Sequence, residues 1–180
     1  MTTTLTAPRI GRPGPGEHVD YYGKYIALVA GDDAFAALAN QLDGSLAPLR
    51  RLDDERALHR YVPGKWSVKE VVGHLMDGER VFAYRALRFA RGDETPLPGY
   101  DENLWVPSAR FDRLPLGALL EGWSATRAAT IELFRSLDGE ALERRGVANG
   151  HPMSVRALAW IIAGHELHHR MILCDRYGVV

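Results

Sequence analysis

The segment from Ser154 to Tyr177 constrains the chain more than any other: an apolar helical stripe carries two histidines near its centre. At about 100° per residue, Leu158, Ile162, Ile172 and Leu173 share one face, and His165 and His169 fall on either side of its midline. His168 falls at the margin. Ser154 suits the N-cap of this helix and Gly178 its C-terminal stop. Two imidazoles on a buried face need partners, because a buried polar group left unsatisfied is costly. The i, i+4 spacing puts both rings on one side of the helix, one turn apart, which is how helical metal motifs chelate.

A metal needs at least a third ligand. No His or Glu follows His169, and Asp175 faces elsewhere, so the third donor lies upstream. A helix is predicted from Ser67 to about Arg91. Ser67-Val68-Lys69-Glu70 forms a capping box, in which the serine oxygen takes an orphan N–H and the glutamate reaches back. Val68, Val71, Leu75, Phe82 and Phe89 share its apolar face. His74 lies two turns in, beside that stripe, where it looks at a neighbouring helix. His18 falls in a Pro/Gly-rich arm, His59 in the charged stretch 53–60, and His151 before a proline in a loop. His74, His165 and His169 are therefore the candidate ligands of one divalent ion, with His168 beside them.

Two more segments have helical periodicity. Phe35, Leu38, Ala39, Leu42, Leu46 and Leu49 mark a helix over 32–51, and Leu116, Leu119, Leu120, Trp123, Ile131 and Phe134 mark one over 115–137. Four amphipathic helices predict an all-α four-helix bundle. The connection 92–114 is long enough to cross the bundle, so that the second and third helices run parallel. Residues 1–19 read as a flexible N-terminal arm and 20–180 as a single domain. No alternating run of Val, Ile and Thr suggests strands. The 180 residues carry a formal net charge of −1 and a single cysteine, Cys174. Without a basic cluster, an apolar leader or a long apolar span, the expectations are no nucleic-acid partner, no membrane span and a cytoplasmic location. Cys174 faces away from His169 and reads as a small buried residue.

His165-Glu166-Leu167-His168-His169 also matches the H-E-x-x-H signature of zinc proteases. Those enzymes take their third ligand downstream, and here almost no chain follows. Glu166 is a candidate base for water activated by the ion, although a solvated or structural role is the simpler reading. Arg127 lies on the apolar stripe of the third helix and must be paired. Its partner is an internal carboxylate such as Glu79 or Glu166, or else a substrate carboxylate. Tyr100 and Trp105, in the long connection, are candidates for a pocket wall.

Two motifs carry a family resemblance over residues 30–178: Gly64-Lys65-Trp66-Ser67-Val68-Lys69-Glu70-Val71-Val72-Gly73-His74-Leu75, and Gly164-His165-Glu166-Leu167-His168-His169-Arg170. They resemble the DinB/YfiT-like superfamily of metal-binding four-helix bundles. The resemblance implies an up-down-down-up bundle, a three-histidine site for a divalent ion such as zinc or nickel, and homodimers. It also implies chemistry on small molecules. Some relatives join low-molecular-weight thiols such as bacillithiol or mycothiol to electrophiles, and others are described as metal-dependent hydrolases. An S-transferase acting on such a thiol is the leading expectation. A hydrolase in which the ion activates water, or a non-catalytic metal- or ligand-binding stress protein, is the alternative. No nucleophilic side chain is evident, so the ion carries the activation.

Overall fold

The computed structural model of the chain describes residues 8–179. Four long stretches of helix form the bundle. The first is in two pieces, α2 (Ala34–Asn40) and α3 (Leu42–Leu49), after a short α1 (Asp20–Ile26). The others are α4 (Val68–Ala90), α6 (Leu116–Arg135) and α8 (Val155–Tyr177), with the shorter α5 (Glu102–Ala109) and α7 (Gly139–Glu143) between them. Local chemistry sets the ends. Ser67 caps α4 in the expected capping box with Glu70. Ser154 accepts the N–H of Ala157 to open α8, and Gly178, with φ of 66°, closes it in the left-handed conformation that lacks a Cβ penalty.

The apolar core falls into two blocks. One gathers Phe35 and Leu38 of α2, Phe82 and Phe89 of α4, Phe134 of α6 and Leu158, Ile161 and Ile162 of α8. The other gathers Leu46 and Leu49 of α3, Val71 and Leu75 of α4, Leu119 and Trp123 of α6 and Leu173 of α8. The order of these residues gives the directions. The α2–α3 pair and α8 run from the first block to the second, while α4 and α6 run from the second to the first. The topology is up-down-down-up, and residues 91–115 bring the chain back the length of the bundle. Between the blocks lies a level of buried polar side chains: His74, Glu79, Arg127, His165, Glu166 and His169.

Several expectations need correction. The helix predicted over 32–51 breaks at Gln41, whose side-chain amide donates to the Ala163 carbonyl at 2.9 Å and to Glu166 at 2.7 Å. Strands are present: β1 (Arg145–Ala148) pairs antiparallel with β2 (His151–Ser154). Asn149 and Gly150, with φ of 53° and 76°, make the turn. An Asn-Gly pair is the favoured two-residue hairpin connection, because it tolerates positive φ at both positions.

The expected flexible arm is packed from residue 8 onward, and residues 1–7 lie outside the described residues. Ile10 is buried, and Trp160 donates its indole N–H to the carbonyls of Ile10 and Gly11. Arg12 binds the carbonyls of Ile26, Val29 and Gly31 and lies over the Trp160 ring. Glu17 is buried against Ser154 and Arg156. Polar, Pro/Gly-rich composition suggested mobility, but these side chains and backbone groups fasten the segment. Cys174, expected to be buried, is exposed, because the last turns of α8 bury Leu173 and leave the neighbouring positions to solvent. No helix among the described residues is long and apolar enough to cross a membrane.

Candidate metal centre

His74 comes from α4, and His165 and His169 from successive turns of α8. All three are buried, and one donor nitrogen from each lies within 4.8 Å of the other two. The Nε2 atoms of His74 and His165 are 3.1 Å apart. The ring centroids are 4.9 Å apart for His74 with either partner and 4.7 Å for His165 with His169. The close approach of α4 and α8 depends on Gly78, where an added Cβ would stand 3.1 Å from Cε1 of His165.

Burial sets the charge state. It pushes His74 down to about 4 and holds His165 and His169 well below their ordinary 6.5, and neighbouring imidazoles reinforce the shift. The rings are therefore neutral at physiological pH, which is the form that binds metal. Nδ1 of His169 is buried with no hydrogen-bond partner among the described residues. A ring nitrogen left free beside two converging imidazoles fits a metal ligand, since a buried polar atom is normally paired. Three neutral nitrogen donors suit a divalent ion that keeps an open position for a ligand.

The other expected residues separate into two groups. His168 and Tyr100 line the cavity that opens onto the histidines, which measures about 490 Å³. Trp105 does not line it, but its ring lies 4.8 Å from that of Tyr100 and supports it from behind.

Glu166 and Arg127 are elsewhere. Glu166 is 1% exposed and turned from the histidines, taking hydrogen bonds from Gln41 and from Ser45 at 2.6 Å. Arg127 grips Glu79 through Nε at 2.8 Å and Nη2 at 3.0 Å, meets Glu166 at 2.8 Å, and donates to the Leu38 carbonyl. Glu166 as base and Arg127 as substrate clamp are thus both corrected: Arg127 is held inside the core by Glu79 and Glu166, and Glu166 by Arg127, Gln41 and Ser45. His18 bonds the adjacent Val19 carbonyl and His59 packs on Tyr177. His151, on β2, reaches the cavity rim.

The sequence reading missed most of the cavity wall. Trp66 lies 4.8 Å from His74, Tyr25 5.5 Å from His165 and 5.0 Å from His168, and Phe82 6.0 Å from His165. Tyr22 and Arg85 complete one side. The Tyr21-Tyr22-x-x-Tyr25 cluster was a signal for α1. Arg85, about 60° from Phe82 on the α4 wheel, was a signal of the kind that drew attention to Arg127.

The chain is similar to several known proteins. Three curated relatives are named "putative metal-dependent hydrolase". One from Oceanobacillus iheyensis is 28% identical over 66% of this chain and 68% of its own length. A second from that organism is 30% identical over 69% and 74%, and one from Geobacillus thermodenitrificans is 28% identical over 74% and 76%. Among solved structures, YfiT from Bacillus subtilis, described as "a probable metal-dependent hydrolase with an unusual four-helix bundle topology", superposes with a TM-score of 0.67 at 21% identity. That match covers 98% of this chain and 99% of YfiT. A mycothiol-dependent maleylpyruvate isomerase superposes with a TM-score of 0.66 at 16% identity, over 82% of this chain and 60% of the isomerase. The DinB superfamily profile matches residues 37–173, and the chain belongs to that superfamily.

Proposed function

We propose that this metal-dependent enzyme is an S-transferase: it joins a low-molecular-weight thiol to a small electrophile, with the ion held by His74, His165 and His169. A bound divalent ion lowers the pKa of a coordinating thiol so far that it is deprotonated outright at neutral pH. The observation that carries the reading is that, among the described residues, no fully buried carboxylate stands free beside the histidines. Glu79 and Glu166 are both engaged by Arg127; Asp77, three residues after His74, is half-buried and paired with Arg80 at 3.2 Å, and Glu102, the acid lining the cavity, is also only half-buried. The ion brings bound water down to about 7, but hydrolysis of an ester or amide also needs a proton delivered to the leaving group, which a carboxyl group at the ion's side supplies; transfer of a thiol that the ion has deprotonated does not need one.

The residues around the ion supply the rest. Trp66, Tyr25 and Phe82 give apolar walls that exclude water from the reacting sulfur. The volume of about 490 Å³ is of the size that small-molecule sites occupy. Among the described residues no serine, threonine or cysteine lines the cavity, which agrees with a nucleophile brought in by the substrate.

A second reading, hydrolysis by water that the ion activates, is supported by the names of the relatives. One assay set separates the two. Metal-loaded protein is given a panel of small thiols with a chromogenic electrophile, and separately esters and amides without thiol. Metal-dependent thiol consumption is the expected result. Ester or amide cleavage without thiol overturns it in favour of hydrolysis, and silence in both overturns catalysis.

A further inference from the structure

Three cations are buried among the described residues: Lys69, Arg85 and Arg127. Lys69 pairs with Asp54 at 2.6 Å, and Arg127 with Glu79 and Glu166. Arg85, only 3% exposed, has no ion pair with any described carboxylate. Its Nη2 donates to the Pro98 carbonyl at 3.1 Å, its guanidinium stands 5.7 Å from the Phe82 ring centre, and the Tyr22 phenol lies beside it. The residue lines the same cavity as the three histidines. A charge taken out of water needs a counter-charge, and a guanidinium fork matches a carboxylate in two-pronged fashion.

We infer that Arg85 anchors a carboxylate of the substrate, so that the substrate class is a two-headed small molecule with a metal-binding donor at one end and a carboxylate at the other. Helix α4 separates the two points: His165 lies against Gly78, Arg85 is seven residues further on, about 10 Å at 1.5 Å per residue, and Phe82 lies between them in the helix with its ring 6.0 Å from that of His165 and 5.7 Å from the guanidinium. The spacer between the two heads therefore runs past this ring and contains several carbon atoms. Lys24, exposed at the cavity edge with its Nζ 3.9 Å from the Tyr21 ring centre, adds positive charge at the mouth. Glu102 also lines the cavity and makes no ion pair with Arg85. The inference rests on the metal reading of the histidines. It does not require the metal-binding head to be a thiol.

The test uses metal-loaded protein and matched probes: 3-mercaptopropionate, 6-mercaptohexanoate and 8-mercaptooctanoate, each against its primary amide, with binding followed by calorimetry. Wild type is expected to bind the acid at least about tenfold more tightly than the amide at the best chain length. Arg85→Gln is expected to bring the two within about twofold, and Arg85→Lys to restore part of the preference. Equal binding of acid and amide by wild type overturns the assignment, and so does an undiminished preference in Arg85→Gln. If Arg85→Gln does not fold, the wild-type pairs and Arg85→Lys still decide. The same series with ω-carboxy hydroxamates and their amides separates this inference from the thiol reading. An acid preference among hydroxamates with no thiol bound keeps Arg85 and removes the S-transferase. Thiols bound without any acid preference do the reverse.

Discussion

At the scale of single residues, the polar level of the core contains two different kinds of buried group. Arg127 pairs with both Glu79 and Glu166, and Gln41, Ser45 and Trp123 donate the remaining hydrogen bonds to the two carboxylates. Among the histidines, Nε2 of His74 and His165 stand 3.1 Å apart, while Nδ1 of His169 has no partner among the described residues. The first group is structural. Arg127→Met is predicted to destabilise the fold by about 3–5 kcal/mol, because it leaves two carboxylates buried and unpaired. Denaturant unfolding checks this, and an unchanged midpoint contradicts it. A helical wheel identified Arg127 as buried and in need of a partner, and named Glu79 and Glu166 as possible partners. It could not say whether protein or substrate provides the counter-charge, because that depends on which side chains arrive from other helices.

At the scale of elements, the site owes its walls to segments with little periodicity. The α1 helix carries Tyr22 and Tyr25 and meets α8 at Gly164, where an added Cβ would stand 2.1 Å from the Tyr25 carbonyl oxygen. Gly164→Ala is predicted to push α1 off the bundle, costing about 1–3 kcal/mol by overpacking and weakening probe binding in the cavity. Full stability together with wild-type affinity would contradict the close packing. Glu17 fastens the segment before α1 to the start of α8. Its carboxyl is held down from the ordinary 4.5 to about 2, chiefly by its hydrogen bonds with Arg156, against the opposing effect of burial. Folding therefore favours the charged form. That contribution is complete above about 4.5 and disappears as pH falls towards about 2. Glu17→Gln should cost about 1–3 kcal/mol at pH 7, with the gap from wild type narrowing at pH 3. A gap that is constant with pH would refute it. The long helices were legible in the sequence because twenty residues establish a period. The seven residues of α1 do not. The hairpin strands are four residues each, so only Asn149-Gly150 announced them. The arm was misread because its anchors, Ile10, Arg12 and Glu17, act across more than 100 residues in part, and composition does not encode that.

At the scale of the whole molecule, the two apolar blocks clamp α4 and α8 at both ends and hold the histidines at the level between them. The direction of each helix follows from the order in which it visits the blocks, and the long crossover is the consequence of α4 and α6 sharing a direction. The sequence showed the four helices and three histidines but not the cavity, whose lining comes from α1, α4, α5, α8 and the connections before and after α4 and after α7. The account as a whole depends on those imidazoles sharing one cation. The most direct measurement is equilibrium dialysis against zinc or nickel followed by elemental analysis, on wild type and on His165→Ala. The predicted result is one ion per chain in wild type and far less than one in the variant. Full occupancy in His165→Ala, or no ion retained by wild type, would contradict the metal centre.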